Sequence, residues 1–149
     1  MKRCILIAAL MLGLAFAATA QPRAIGARMG WGFEASYQHT VRGADFVEAD
    51  LGLFTTSLNA AAVYNFMIAQ PAWTDRGRWG FYAGPGAALG LGLFNNKGFN
   101  LAGAGQVGLE YTFWFPLQLS FDVRAQLGAT FGHGFYFGIG PSLGVRYRF

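Results

Sequence analysis

The segment Phe135–Phe149, FYFGIGPSLGVRYRF, changes character at every second residue. Phe135, Phe137, Ile139, Pro141, Leu143, Val145, Tyr147 and Phe149 are apolar, most of them bulky. The residues between them are Tyr136, Gly138, Gly140, Ser142, Gly144, Arg146 and Arg148. A period of two is the signature of a β-strand with one greasy face and one small or charged face. A helix would scatter these side chains around its axis.

The same alternation returns upstream. In Leu117–Phe131 every odd residue is apolar, and the even ones are Gln118, Ser120, Asp122, Arg124, Gln126, Gly128 and Thr130. Leu101–Phe115 keeps the phase, with Trp114 as an exception, and Trp79–Phe94 keeps it again. Leu58–Ile68, Val47–Leu53 and Ile25–His39 are shorter or noisier versions. Turn residues fall between the segments, at Val41–Asp45, Thr55–Ser57, Gln70–Arg78, Asn95–Asn100, Pro116 and Gly132–Gly134. No helical periodicity and no linker interrupts the series.

The chain before this series has a different character. Lys2 and Arg3 precede a charge-free apolar run, Ile5–Ala17, and Ala18-Thr19-Ala20 offers small residues for cleavage before Gln21. This pattern predicts a secretory signal peptide over residues 1–20 and a single domain over 21–149. The alternative, an N-terminal membrane anchor, fits poorly with so short an apolar run. Cys4 lies inside the predicted leader, so the mature domain has no thiol for a disulfide or a thiolate metal site. Without Lys2 and Arg3 the formal net charge falls from +4 to +2, too balanced for a nucleic-acid footprint.

An alternating, exported chain without a disulfide can be a soluble barrel or a membrane barrel, and the second face discriminates. Charged residues make up 12% of the chain, against about 25% in typical soluble proteins. A face of Gly, Ala, Ser, Gln and Thr with roughly one charge per strand would solvate badly as an exterior. The aromatic-rich apolar face suits hydrocarbon, where one Arg or Lys would cost about 2–4 kcal/mol. Aromatics also gather at both ends of the segments. Tyr37, Phe66, Trp79, Phe81, Tyr111, Phe113, Phe115, Tyr147 and Phe149 fall at one end. Trp31, Phe33, Phe54, Phe94, Phe99, Phe131, Phe135 and Phe137 fall at the other.

A last strand whose apolar face, Leu143, Val145, Tyr147 and Phe149, ends on an aromatic residue resembles the insertion signal of bacterial outer-membrane β-barrels. The chain is similar to the small barrels of the OmpA/OmpX type and to short outer-membrane barrels of Gram-negative bacteria. The resemblance implies an all-β fold, an eight-stranded antiparallel up-and-down transmembrane barrel. It also implies residence in the outer membrane, contact with its lipid, and delivery to the barrel-assembly machinery through the C-terminal strand. A monomer is expected.

Seven segments are visible, whereas bacterial single-chain barrels have even strand numbers. A tight turn at Gly30-Trp31-Gly32 would pair Met29 with Phe33, preserve the phase, and bring the count to eight. One long first strand is the alternative. In an eight-stranded barrel the other face lines a lumen just wide enough to be filled by side chains. That lumen is predicted to hold Arg28, Arg124, Arg146 and Arg148 together with Glu34, Glu48, Asp50, Glu110 and Asp122. Buried charges persist only when paired. Glycines 80, 84, 86, 90 and 92 are expected to make room for the arginines.

Signals for chemistry are weak. Gly103–Gly108 matches G-x-G-x-x-G, but strand alternation runs through it, and a nucleotide site needs a following helix; small lumen-facing residues are the expected reading. Ser36 or Ser57 with His39 or His133 and an acid would make a hydrolytic set only if they converged. Glu48 and Asp50 are expected to partner arginines. No enzyme activity, cofactor or metal is expected. The functional expectation is an integral outer-membrane barrel with a filled polar lumen and a structural or surface-binding role. The alternatives are a lipid-modifying enzyme, a narrow channel, or a soluble periplasmic barrel for an apolar ligand.

Overall fold

The computed structural model describes residues 22–54, 57–93 and 98–149. The predicted signal peptide lies outside the described residues, as does Phe94. Eight strands follow one another: β1 (Pro22–Met29), β2 (Phe33–Arg42), β3 (Asp45–Phe54), β4 (Ser57–Ala69), β5 (Arg78–Gly92), β6 (Phe99–Thr112), β7 (Leu117–Thr130) and β8 (Gly134–Arg148). Each pairs antiparallel with its chain neighbour, and β1 pairs with β8 to close the barrel. Closure leaves no edge strand.

The first hairpin settles the strand count. Met29 pairs with Phe33, and the Gly30 amide donates to the Gly32 carbonyl at 3.1 Å. A Cβ on Gly30 would stand 2.7 Å from the Pro141 carbonyl oxygen, and one on Gly32 would stand 2.9 Å from the Phe54 ring. The turn is tight because both flanking residues are glycine. The predicted Leu101–Phe115 segment is shorter than expected. It leaves the ladder at Thr112, and residues 113–116 form the link to β7.

Prolines sit where the ladders allow them. The β4–β5 pairing runs from Val63↔Gly86 to Phe66↔Ala83 and skips the residues opposite Gly84 and Pro85. Pro141 lies beyond the last β1–β8 pair, Met29↔Leu143. Each missing N–H therefore falls where no ladder bond is lost.

The period of two becomes an inside and an outside. Leu51, Leu53, Phe66, Val107, Phe121, Leu127, Leu143 and Val145 are exposed on the outer wall. Arg28, Gln38, Glu48, Asp122 and Arg146 are among the most deeply buried side chains. Among the described residues the exposed Lys, Arg or Glu side chains of the strands are confined to strand ends, at Arg42 and Arg78; Asp45, at the start of β3, accepts the Met67 amide at 2.9 Å.

The termini share one end of the barrel with the β2–β3, β4–β5 and β6–β7 links. That end carries a chain of touching rings, from Trp73 through Trp79 and Tyr111 to Phe113 and Phe115, with centroids 4.6–5.4 Å apart. At the opposite end Phe99 stacks on Phe131 at 5.3 Å.

Candidate functional site: a charged lumen and its open mouth

Most residues of the predicted set converge inside the barrel, and Glu48 is their hub. Its Oε2 accepts from Gln38 at 2.6 Å and from Arg146 at 3.0 Å. Its Oε1 accepts from Gln106 and from Arg124, both at 3.2 Å, and stands 3.5 Å from Arg28 Nε. Five strands besides β3 thus send a donor or a charge to one carboxylate.

Above this hub, Arg28 gathers acids from three strands. It donates to Glu34 at 2.5 Å, to Asp50 at 3.2 Å, to Asp122, and to the Ser142 hydroxyl at 2.7 Å. Arg124 joins the layers, donating to Asp50 and, through Nε, to Gln106 at 2.8 Å. Arg146 is braced by Ser36 at 2.9 Å and Ser120 at 2.7 Å. Toward the termini, Gln118 bridges Gln38 and Glu110, and Glu110 also takes Arg23. The set is large, continuous and charge-assisted, which is how ionised groups survive away from water.

Sequence reasoning missed Arg23. It has the parity of the outer wall, yet it is buried and paired with Glu110. A register shift between Pro22 and Ala24 is the reason, since one extra residue in a strand turns the following side chain to the other face. Its guanidinium lies 3.9 Å above the Phe46 ring. Arg148 departs from expectation in the other direction. It is half-buried at the terminal mouth and donates to Thr112 at 3.2 Å rather than to an acid. With Arg23 included, four arginines, Arg23, Arg28, Arg124 and Arg146, meet five carboxylates among the described residues.

Gly80, Gly84, Gly86 and Gly90 serve other neighbours than those predicted. No arginine stands beside Gly80, Gly84 or Gly86 on the neighbouring strands. Gly86 lets β4 approach, since its Cβ would meet the Val63 Cα at 2.7 Å, and Gly80 faces the Met67 sulfur. The glycine that makes room for an arginine is Gly144, whose Cβ would stand 2.6 Å from Arg146 Nη1. In the glycine motif of β6 only Ala104, Gln106 and Gly108 face the lumen. Gly103 and Gly105 lie on the outer wall, because strand parity continues through them. A Cβ on Gly108 would press on the Tyr82 ring and stand 2.8 Å from the Asp122 Cβ. Gly108→Val is therefore expected to cost about 1–3 kcal/mol by overpacking, read as a lower urea midpoint of the refolded barrel.

At the end opposite the termini the lumen opens into a cavity of about 440 Å³ with Arg28, Glu34 and Arg124 at its floor. Two aromatics predicted for the outer belt turn into this mouth instead. The Trp31 indole occupies the space above Gly140, where any Cβ would collide with it. Phe54 has inward parity at the end of β3 and lines the same cavity. At the terminal end a smaller cavity of about 180 Å³ is lined by Arg23, Arg78, Glu110 and Arg148.

The candidate hydrolytic residues stand apart. Ser36 is held by Arg146 deep in the lumen, whereas His39 lies on the outer wall with Tyr37 Oη 3.3 Å from its Nδ1. Ser57 donates to the Phe54 carbonyl at the open mouth, and His133 is in the β7–β8 turn. The chain matches no family model, no curated protein and no solved structure.

Proposed function

We propose that this protein is an integral outer-membrane β-barrel, similar to the small OmpA/OmpX-type barrels, with its first twenty residues acting as an export signal. The observation that carries the reading is the inverted distribution of side chains: an apolar wall outside and a paired ionic network inside. A soluble barrel of the same size has every reason to do the opposite, because exposed leucine and phenylalanine gain nothing from water. A closed barrel satisfies its backbone internally and can stand in hydrocarbon. Strands of 8 to 15 residues bracket the about 9–11 needed to cross a tilted bilayer path. The aromatic clusters at both ends suit the two interfaces. In this orientation the termini face the periplasm and the cavity with Trp31 faces the cell exterior.

The role we assign is that of a structural or surface-binding barrel and not an open pore. Side chains bridge the lumen from β1 to β7, through Arg28 and Asp122, and from β3 to β8, through Glu48 and Arg146. Vesicles containing the protein should therefore show no steady ion conductance. The direct test of the membrane reading is fractionation. The protein should stay with outer membranes after an alkaline carbonate wash and should run at different gel positions before and after boiling. Release into the soluble fraction would overturn it.

Assembly is proposed to proceed through the outward face of β8, Leu143, Val145, Tyr147 and Phe149. The Tyr147 and Phe149 rings meet edge-on at 5.6 Å and are exposed, so they contribute little to internal packing. Tyr147→Ala with Phe149→Ala should lower the yield of assembled barrel in cells several-fold. The stability of the protein refolded in detergent should change by less than about 1 kcal/mol, as for exposed positions generally.

A further inference from the structure

We infer that the open mouth opposite the termini is a binding site for a neutral saccharide, of monosaccharide or disaccharide size. That this mouth faces the cell exterior rests on the membrane reading; the binding itself does not.

The cavity of about 440 Å³ falls within the range of small-molecule sites, about 300–1,000 Å³. Its walls combine flat apolar rings with fixed polar groups. Trp31, Phe54 and Tyr136 contribute the rings. The Trp31 indole is 75% exposed and lies across the mouth over Gly140, so one of its faces is available for stacking. Asn100 is held by Tyr136, whose hydroxyl donates to its Oδ1 at 3.3 Å, and it lies against Gly90, which has no side chain to displace it. The Asn100 amide nitrogen makes no hydrogen bond among the described residues and is a donor at the cavity wall. Gln126 makes no side-chain hydrogen bond among the described residues, so both ends of its amide are available.

The floor supplies a donor and an acceptor side by side. Arg124 is 6% exposed, and its Nε and Nη2 are committed to Gln106, Glu48 and Asp50. Its Nη1 makes no hydrogen bond among the described residues and stands 3.9 Å from Glu34 Oε2, too long for one. Glu34 binds Arg28 through Oε2, and its Oε1 makes no hydrogen bond among the described residues. A guanidinium edge beside a carboxylate oxygen fits a pair of neighbouring hydroxyls, each of which both donates and accepts. The floor arginines, Arg28 and Arg124, are already paired with Glu34, Asp50 and Asp122, so the floor has no unpaired cation with which to hold an anion. Flat rings for C–H faces, carboxamides for hydroxyls and a floor whose ions are already paired together select a polyhydroxylated, uncharged ligand.

The test uses the whole refolded protein in an amine-oxide detergent, because alkyl glycoside detergents carry the very headgroup in question. Glucose, galactose, N-acetylglucosamine, maltose and lactose are titrated while tryptophan emission is followed. The other tryptophans, Trp73, Trp79 and Trp114, sit at the terminal end, so the mouth is reported by Trp31. At least one sugar should give a saturable change. Gln126→Leu should weaken it about tenfold, the effect of losing roughly one polar contact. Trp31→Leu, read by calorimetry, should weaken it at least as much. Both substitutions lie outside the ionic network, and heat-dependent gel mobility confirms that each variant has folded. Three results would overturn the inference: no saturation with any of the five sugars, saturation unaffected by either substitution, or saturation only with inorganic phosphate or glycine. Sugar binding by a protein that fails the fractionation test would leave this site standing and remove its membrane setting.

Discussion

Replacing Glu48 with leucine is expected to lower the stability of the barrel by about 3–5 kcal/mol, the usual result of stripping one partner from a buried ionic set. Arg28, Arg124 and Arg146 all approach this one carboxylate within 3.5 Å. Without it, Arg146 is a buried charge with only the hydroxyls of Ser36 and Ser120 among the described residues. Glu48→Gln retains acceptor oxygen and size while removing the charge, and should fall between leucine and the wild type. Adding Arg146→Met to Glu48→Leu should recover part of the loss, because the unpaired buried charge disappears with its owner. Urea unfolding in lipid vesicles gives all four values. A Glu48→Leu midpoint equal to wild type would mean that the network contributes nothing to holding the barrel.

The second large effect belongs to the outer wall. Val107 stands midway along β6, between Ala83 and Val123 on its neighbours, and is 56% exposed. In a bilayer, Val107→Arg should cost about 2–4 kcal/mol, because that height is the dry midplane. His39→Arg, near the terminal end of β2, should cost only about 0–1 kcal/mol, because an arginine there reaches the interface. The gradient between the two positions is the informative quantity. If the wall faced water, both substitutions would be close to neutral, since exposed surface positions tolerate arginine.

The strands were legible because each has one face that must avoid what the other face requires. That demand writes a period of two into the chain, most clearly in β7, where all odd positions are apolar. The eighth strand was legible from the even strand number of bacterial barrels and the two glycines around Trp31: a turn there pairs Met29 with Phe33 and keeps the phase, and they pair. The lumen set was legible for the same reason, since parity assigns Arg28, Glu48, Asp122 and Arg146 to the inside.

Parity fails wherever the chain departs from regular pairing. Arg23 sits at a register shift, which no alternation reveals. Trp31 is in a turn, where side-chain direction depends on what the facing strand leaves empty, and the space above Gly140 decides it. The hub role of Glu48 depends on distances across the barrel, from strands far apart in sequence, and these exist only after closure. The cavity was invisible for that reason too. Its walls come from turns and strand ends that look unrelated until Trp31, Asn100, Gln126 and Tyr136 are brought to one mouth.

The most direct measurement places a fluorophore on the wall and asks what surrounds it. The only cysteine is Cys4, in the predicted leader, so Val107→Cys gives a single labelling site in the mature domain. In vesicles, a dye at this position should be quenched by lipids carrying a nitroxide deep in their acyl chains and should ignore a water-soluble quencher. Quenching by the soluble agent, with no response to the labelled lipids, would show the apolar wall bathed in water or packed against protein, and would contradict a barrel that stands in the bilayer.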